Sequence, residues 1–213
     1  MDLKTIDWKI EDEIGHLVLN QPPANTMTRL FFEELSTVTG IIIPGSAIKA
    51  LIIYGKGRHF SSGADHSDLR SRIIESYNSN KMDELPPFMK KTMESFTLLN
   101  GLQFPTFAAI RGTCLGSALE LALVCKYRIC AEGTVFGFPE TSFGLMPGCG
   151  GTVRLPAFAS LAKSIEIIIG GRNFSAEEAR KWGVVHQIVK KKELLDTTIR
   201  MAEELIKLTS LKK

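Results

Sequence analysis

The chain has 213 residues, enough for one large domain with a substantial buried core. Its composition, 44% hydrophobic and 23% charged, is typical of a globular protein, and 26 basic against 23 acidic side chains leave a formal charge of +3. A charge so near balance does not by itself argue for a nucleic-acid or membrane-surface partner, and we expect neither.

The N-terminal third predicts strands over Trp8–Asp12 and Gly15–Asn20, the second ended by the prolines of "QPPAN". Apolar residues at helical spacing predict a helix over Thr28–Thr39. The continuous apolar run Ile48–Gly55 is then typical of a strand that is covered on both faces.

Residues Ser67–Gln103 are polar and favour helix, with an interruption at Pro86–Pro87. We interpret this stretch as a mobile helical loop that leads into a helix over Phe88–Leu99. A second buried strand, within Pro105–Gly112, follows and opens the segment "RGTCLGSALELALVCK".

The C-terminal half predicts two short strands around a turn at Glu132–Gly133 and a helix ended by Gly170–Gly171. A further helix begins at the N-cap Ser175 and ends at Gly183, and an amphipathic helix covers about Lys192–Leu208. Strands that alternate with helices predict an α/β fold with parallel pairing, because parallel strands need a crossover connection.

Two segments repeat one plan, a buried strand followed by small residues at the start of a helix, at Gly63–Asp65 and at Gly116–Ala118. The first N–H groups of a helix lack internal partners. Small side chains leave such amides accessible to a ligand. Two such ends facing each other would present two donors to one oxygen, the layout of an oxyanion hole. Many α/β proteins share this alternation of strands and helices, so the repeat alone does not identify an oxyanion hole.

Two acidic residues stand beside these segments: Glu120, in an otherwise apolar helix, and Glu140, directly after Pro139. Two carboxylates near two amide donors suffice for acid–base chemistry on a carbonyl compound. The alternatives are an exposed or paired Glu120 and a Glu140 that caps a helix. A serine hydrolase at Ser117 is disfavoured, because "GSA" lacks the G-x-S-x-G elbow.

The four cysteines lack the paired spacing of a zinc site, and no two histidines have the spacing of metal ligands. We therefore expect free thiols, no metal and a reducing compartment. The N-terminal residues do not resemble a secretory signal and no stretch is long and apolar enough to span a membrane, so the expected location is cytoplasmic.

Five segments resemble the crotonase (enoyl-CoA hydratase/isomerase) superfamily in order and spacing. They are "NTM" (Asn25–Met27), "GRHFSSGAD" (Gly57–Asp65), "GTCLGSALELALVCKYRICAE" (Gly112–Glu132), "FGFPETSFGLMPGCGGTVRLP" (Phe136–Pro156) and "SAEEARKWGVVHQIV" (Ser175–Val189). The resemblance implies a spiral of ββα units over residues 1–190, with a smaller sheet across a parallel one. Residues 191–213 would begin a C-terminal helical region, which we expect to be shortened relative to the family.

The resemblance also implies the chemistry. The amides of Ala64 and Ser117 would bind an acyl-CoA thioester oxygen, and Glu120 and Glu140 would correspond to the two glutamates of hydratases, which hold a water. No cofactor beyond the CoA moiety of the substrate and no metal is implied, and the expected assembly is a homotrimer or a dimer of trimers. The residues implied in substrate and CoA binding are Arg58, Gly63, Ala64, Asp65, His66, Gly116, Gly148 and Gly150.

Departures from the family pattern leave alternatives open. Ser117 stands where the family favours glycine, Lys126 where it usually has aspartate, and His66 where it has an aliphatic residue. Isomerases of the family usually keep only the later glutamate, so two glutamates favour an enoyl-CoA hydratase. An isomerase, hydrolase or decarboxylase on the same oxyanion hole, or a non-catalytic CoA-binding paralogue, remain the alternatives.

Overall fold

A computed structural model describes residues 2–69, 71, 74 and 87–210. Most of the predicted helical loop after Ser67, namely residues 70, 72–73 and 75–86, therefore lies outside the described residues. The helix predicted to follow it is present and covers Pro87–Gly101.

Nine strands form two sheets in the described part of the chain. They are β1 (Ile6–Glu11), β2 (Ile14–Leu19), β3 (Ala50–Gly55), β4 (Thr106–Ile110), β5 (Thr113–Leu115), β6 (Tyr127–Ala131), β7 (Val135–Gly137), β8 (Asn173–Ser175) and β9 (Gln187–Val189). The large sheet has the order β1-β2-β3-β4-β6-β9, antiparallel between β1 and β2 and parallel elsewhere. The small sheet has the order β5-β7-β8, parallel and then antiparallel.

Helices cross over between the strands. They are α1 (Arg29–Thr37), α2 (Pro87–Gly101), α3 (Ser117–Val124), α4 (Gly151–Arg154), α5 (Leu161–Gly170), α6 (Ala176–Lys181) and α7 (Leu194–Ser210). A π-helical turn, Val38–Ile42, continues α1, and 3-10 turns cover Pro139–Phe143, Leu155–Ala157 and Lys191–Glu193. The predicted α/β architecture, with a parallel sheet and a smaller sheet, is confirmed.

Both faces of the large sheet are covered, which explains the apolar runs of β3 and β4. The helix α7 packs across β3, β4 and β6 on one face. The other face belongs to the main core, in which seven of the eight residues of α3 are buried. A helix buried on all sides needs apolar residues all round, and this is why the composition of α3 made Glu120 conspicuous.

The helix boundaries follow local capping chemistry. Thr28 and Ser160 accept hydrogen bonds from the backbone at the starts of α1 and α5, and Ser175 forms a capping box with Glu178 at α6. The predicted N-cap at Ser175 is thus confirmed, and the predicted turn at Glu132–Gly133 is present between β6 and β7. No helix among the described residues has the length and apolar character to cross a membrane.

Candidate active site

The N-terminus of α3 presents a free amide at Ser117. Gly116 is the N-cap, and the first hydrogen bond of the helix runs from the Glu120 N–H to the Gly116 carbonyl. The Ser117 N–H therefore precedes the hydrogen-bonded turns and has no partner within the helix. Gly116 has a φ of +55°, and a Cβ there would lie 2.9 Å from Oε1 of Glu140, so the turn requires glycine.

A second amide, that of Ala64, lies close to the first. Met27 pairs with Ala64 in a parallel bridge in which the Met27 N–H donates to Gly63 and the Asp65 N–H donates to Met27. This pattern turns the Ala64 N–H to the other side of the strand. A Cβ on Gly63 would lie 3.5 Å from the Ser117 nitrogen, so the two segments of the repeated plan meet.

Glu120 is fully buried, and one of its oxygens is held by the backbone. Its Oε1 accepts hydrogen bonds from the Cys149 N–H at 2.7 Å and from the Gly151 N–H at 2.8 Å. Its Oε2 is buried with no hydrogen-bond partner among the described residues. Burial raises the pKa of Glu120, while the two amides and the nearby Arg154 oppose that rise by favouring the carboxylate.

Glu140 lies in the 3-10 turn Pro139–Phe143 with 8% of its surface exposed. Its Oε2 also lacks a hydrogen-bond partner within the described part of the chain. Burial raises the pKa of Glu140 to about 7, and the negative charge of Glu120 adds to that rise. The two glutamates are therefore electrostatically coupled, and Glu140 can hold a proton near neutral pH.

A cleft opens beside the two amides, with an empty volume of about 710 Å³ including its open mouth. Most of its lining atoms are apolar. Its lining, which defines the cleft here, consists of Met27, Phe32, Ala64, Asp65, Asp68, Leu69, Phe88, Met89, Thr92, Ser117, Glu140, Leu145, Met146, Gly148 and Cys149.

Several of the predicted site residues meet at this cleft. Ala64, Asp65, Ser117, Glu140 and Gly148 line it. The stretch interpreted above as a helical loop and a helix, Ser67–Gln103, contributes further lining residues, namely Asp68, Leu69, Phe88, Met89 and Thr92.

Other predicted residues lie behind or beside the cleft. Glu120 does not line it, whereas Cys149, whose N–H donates to Glu120, does, and Gly150 lies in the same loop. Arg58 is exposed and does not line the cleft. His66 is exposed and stacks on Phe143, with ring centroids 4.1 Å apart.

Two polar side chains that organise the site were not singled out in the sequence. The amide nitrogen of Asn25 donates to the carbonyls of Lys56, His59 and Phe60 and so fixes the chain that leads to Ala64. Arg154 donates to the Cys149 carbonyl beside Glu120. The sequence contained a signal for Asn25, which lies in the "NTM" motif. The contact of Arg154 depends on how the glycine-rich loop around Cys149 folds.

No cluster of three or more histidine, cysteine or acidic side chains suited to a metal occurs in the described residues. The four cysteines are free, as predicted. Backbone amides and carboxyl groups are among the polar groups at the cleft.

A family model described as Enoyl-CoA hydratase/isomerase matches residues 9–212. The curated relatives include a "Probable enoyl-CoA hydratase" from Bacillus subtilis, 34% identical over 183 residues that cover 86% of this chain and 68% of that protein. They also include the "Fatty acid oxidation complex subunit alpha" of Vibrio campbellii, 36% identical over 199 residues, or 91% of this chain. This chain spans only 27% of the length of the Vibrio protein.

The fold matches solved structures of the same group. The crystal structure of an enoyl-CoA hydratase from Bacillus anthracis superposes with a TM-score of 0.84 at 29% sequence identity. The match covers 95% of this chain and 76% of that one. The arrangement of two sheets around α3 is therefore an arrangement seen in known enzymes.

Proposed function

Because this chain belongs to the enoyl-CoA hydratase/isomerase family, we propose that it is an enoyl-CoA hydratase, which adds water across the double bond of a 2-enoyl-CoA. One observation carries the proposal: two buried carboxyl groups lie at the start of α3, Glu120 in its first turn and Glu140 close to Gly116, and the segment of Ala64 reaches the Ser117 amide at the same place. In this site the thioester oxygen accepts hydrogen bonds from both amides, which stabilise the enolate that forms when the β-carbon is attacked.

The two carboxyl groups take complementary roles in the proposed reaction. Glu120, ionised and held by the amides of Cys149 and Gly151, accepts a proton from water as the water oxygen bonds to the β-carbon. The electron pair of the double bond moves onto the thioester oxygen. Glu140 then donates its proton to the α-carbon, and the enolate returns to a thioester. A pKa near 7 suits Glu140 to this donation.

A second candidate, isomerisation of the double bond, is favoured by one feature of the cleft. Of the two glutamates, Glu140 lines the cleft and Glu120 does not. An isomerase needs only one group that removes a proton at one carbon and returns it at another. Glu140 alone suffices for that transfer, with the same two amides holding the enolate.

The deciding experiment supplies the protein with straight, branched and cyclic 2-enoyl-CoA thioesters and follows the loss of the conjugated chromophore. For a hydratase we expect 3-hydroxyacyl-CoA products, and both Glu120→Gln and Glu140→Gln lower kcat by about 10²-fold to 10⁴-fold. The matched control is Glu132→Gln in the exposed turn before β7, which should keep full activity.

The other outcomes identify the alternatives. Interconversion of 3-enoyl-CoA and 2-enoyl-CoA that survives Glu120→Gln but not Glu140→Gln would assign the isomerase. Binding of CoA in calorimetry without turnover of any thioester would contradict both reactions and assign a non-catalytic CoA-binding role.

We also propose that the CoA moiety lies across residues 64–66, with Arg58 toward its phosphates, and that the chain assembles as a homotrimer or a dimer of trimers. An apolar stripe on α5 supports association: Leu161, Ile165 and Ile169 are 66%, 52% and 59% exposed and recur every four residues on one helix face. Sedimentation velocity tests the assembly, and a monomer at micromolar concentration would contradict it.

A further inference from the structure

The loop Pro147–Gly151, named here the anchor loop, holds Glu120. Its amides at Cys149 and Gly151 both donate to the same carboxylate oxygen. The position and charge of Glu120 therefore depend on the backbone of this loop. Two amide hydrogen bonds to one oxygen favour the ionised form of a carboxyl group.

Arg154 secures the anchor loop from the other side. Its Nη1 donates to the Cys149 carbonyl at 2.7 Å, so Cys149 accepts from Arg154 while its N–H donates to Glu120. The guanidinium also lies against Gly150, where a Cβ would come within 2.0 Å of Nη1. Gly150 has a φ of +100°, so glycine is needed there both for the backbone conformation and for the approach of Arg154.

We propose that Arg154 is a positioning residue that acts through Cys149 to hold the carboxyl group of Glu120 in place. Arg154 does not line the cleft, so it does not touch the substrate in this arrangement. The role of Glu120 as a base rests on the proposed function, whereas the contact between Arg154 and the anchor loop does not.

The charges around Glu120 set the direction of the effect. The cation of Arg154 favours the carboxylate of Glu120, whereas burial favours the protonated form. The nearby Glu140 has its own pKa raised by burial and by the charge of Glu120. The Cys149 thiol has a pKa raised well above its usual range by burial, so it stays neutral and adds no charge near neutral pH. Removal of the Arg154 cation therefore raises the pKa of Glu120. Loss of the two amide hydrogen bonds, if the anchor loop shifts, raises the pKa as well.

The direct test observes Glu120 without any substrate. Protein labelled with 13C at the glutamate carboxyl carbon is titrated by NMR, and Glu120→Gln assigns the resonance. Arg154→Gln should move the Glu120 midpoint up by about one pH unit, and Arg154→Lys, which keeps the charge, should restore much of the shift. The exposed Arg200→Gln on α7 is the matched control and should leave the midpoint unchanged.

Gly150→Ala provides an independent variant, because it displaces the guanidinium without removing it. It should shift the same midpoint in the same direction. If both variants fold and Glu120 titrates in them with the same midpoint as in the unsubstituted protein, the proposal is wrong. It is also wrong if Glu120 does not titrate in any of these proteins.

Kinetics with 2-enoyl-CoA supply the second readout. In Arg154→Gln, kcat should fall about tenfold or more near neutral pH, KM should change little, and the acid limb of the pH profile should move to higher pH. A rise in KM with an unshifted acid limb would contradict the positioning role. If no enoyl-CoA is turned over but the NMR midpoint moves, the proposed function fails while the contact proposed for Arg154 stands.

Discussion

Two carboxyl groups a short distance apart in the fold are held in opposite ways. Glu120 projects from the buried helix α3, and one oxygen is fixed by two backbone amides. Glu140 projects from a five-residue 3-10 turn at the cleft, and the carboxyl group approaches the Cα of Gly116. Two loop amides favour the carboxylate of Glu120 against its burial, whereas Glu140 in the turn is desolvated and its pKa is raised to about 7.

This difference shows how one site can contain both a base and an acid. Two identical side chains acquire different proton affinities because their hydrogen-bond donors differ, and their mutual repulsion separates the affinities further. The comparison can be tested at the Ser117 amide, at Gly116 next to Glu140, and at the two acids themselves.

The largest expected effect follows removal of one amide donor at the start of α3. Ser117 is the first residue of the helix, a position that tolerates proline. Ser117→Pro should therefore fold but lose an oxyanion donor, lowering kcat about 10²-fold to 10³-fold. Ser117→Ala keeps the N–H and is the matched control, for which we expect nearly full turnover. Equal losses in the two variants would show that the hydroxyl, and not the amide, matters.

A smaller loss is expected at Gly116, next to the carboxyl group of Glu140. Gly116→Ala places a methyl group 2.9 Å from Oε1 of Glu140 and should lower kcat about 10²-fold by displacing that carboxyl group. Gly133→Ala is the control, because Gly133 also has a positive φ, +72°, but a Cβ there meets nothing within 4 Å. Both variants should lose about 1 kcal/mol of stability from the backbone conformation, measured by urea unfolding. If Gly116→Ala and Gly133→Ala turn over substrate equally fast, displacing the Glu140 carboxyl group does not slow the reaction, and Glu140 takes no part in it.

The smallest expected effect is on the free energy of unfolding of the protein, and it distinguishes Glu140 from Glu120. Glu140 has a pKa raised from 4.5 to about 7, so the folded state binds its proton more tightly than the unfolded state does. The folded protein then loses stability as pH rises from about 4.5 to 7. Glu140→Gln should raise the free energy of unfolding at pH 8 by about 2 kcal/mol, with the gain vanishing below about pH 4.5.

Glu120→Gln is the comparison for that measurement. Burial raises the pKa of Glu120 as well, but the two amides and Arg154 oppose that rise. The substitution also weakens the hydrogen bonds from Cys149 and Gly151, so we expect a smaller gain than for Glu140→Gln. An equal gain in both variants at pH 8 would mean that the amides do not distinguish the two acids.

Much of this site could be predicted from local sequence. The small residues before α3, the proline before Glu140 and the N-cap at Ser175 are local signals, and each lies in the structure where its pattern indicated. The short strands β8 and β9 were not predicted, because three residues cannot show an alternating pattern and depend on pairing partners distant in sequence.

The sequence by itself determined the alternation of strands and helices, because hydrophobic periodicity, glycine turns and capping residues act over a few neighbouring residues. It also made Glu120 conspicuous in an apolar helix, where a carboxylate that is buried needs a partner. Only the tertiary structure decided which partner: the amides of Cys149 and Gly151, about thirty residues later, with Arg154 behind them. Such contacts arise when elements distant in sequence pack around one buried charge, and the pattern of neighbouring residues does not predict that packing.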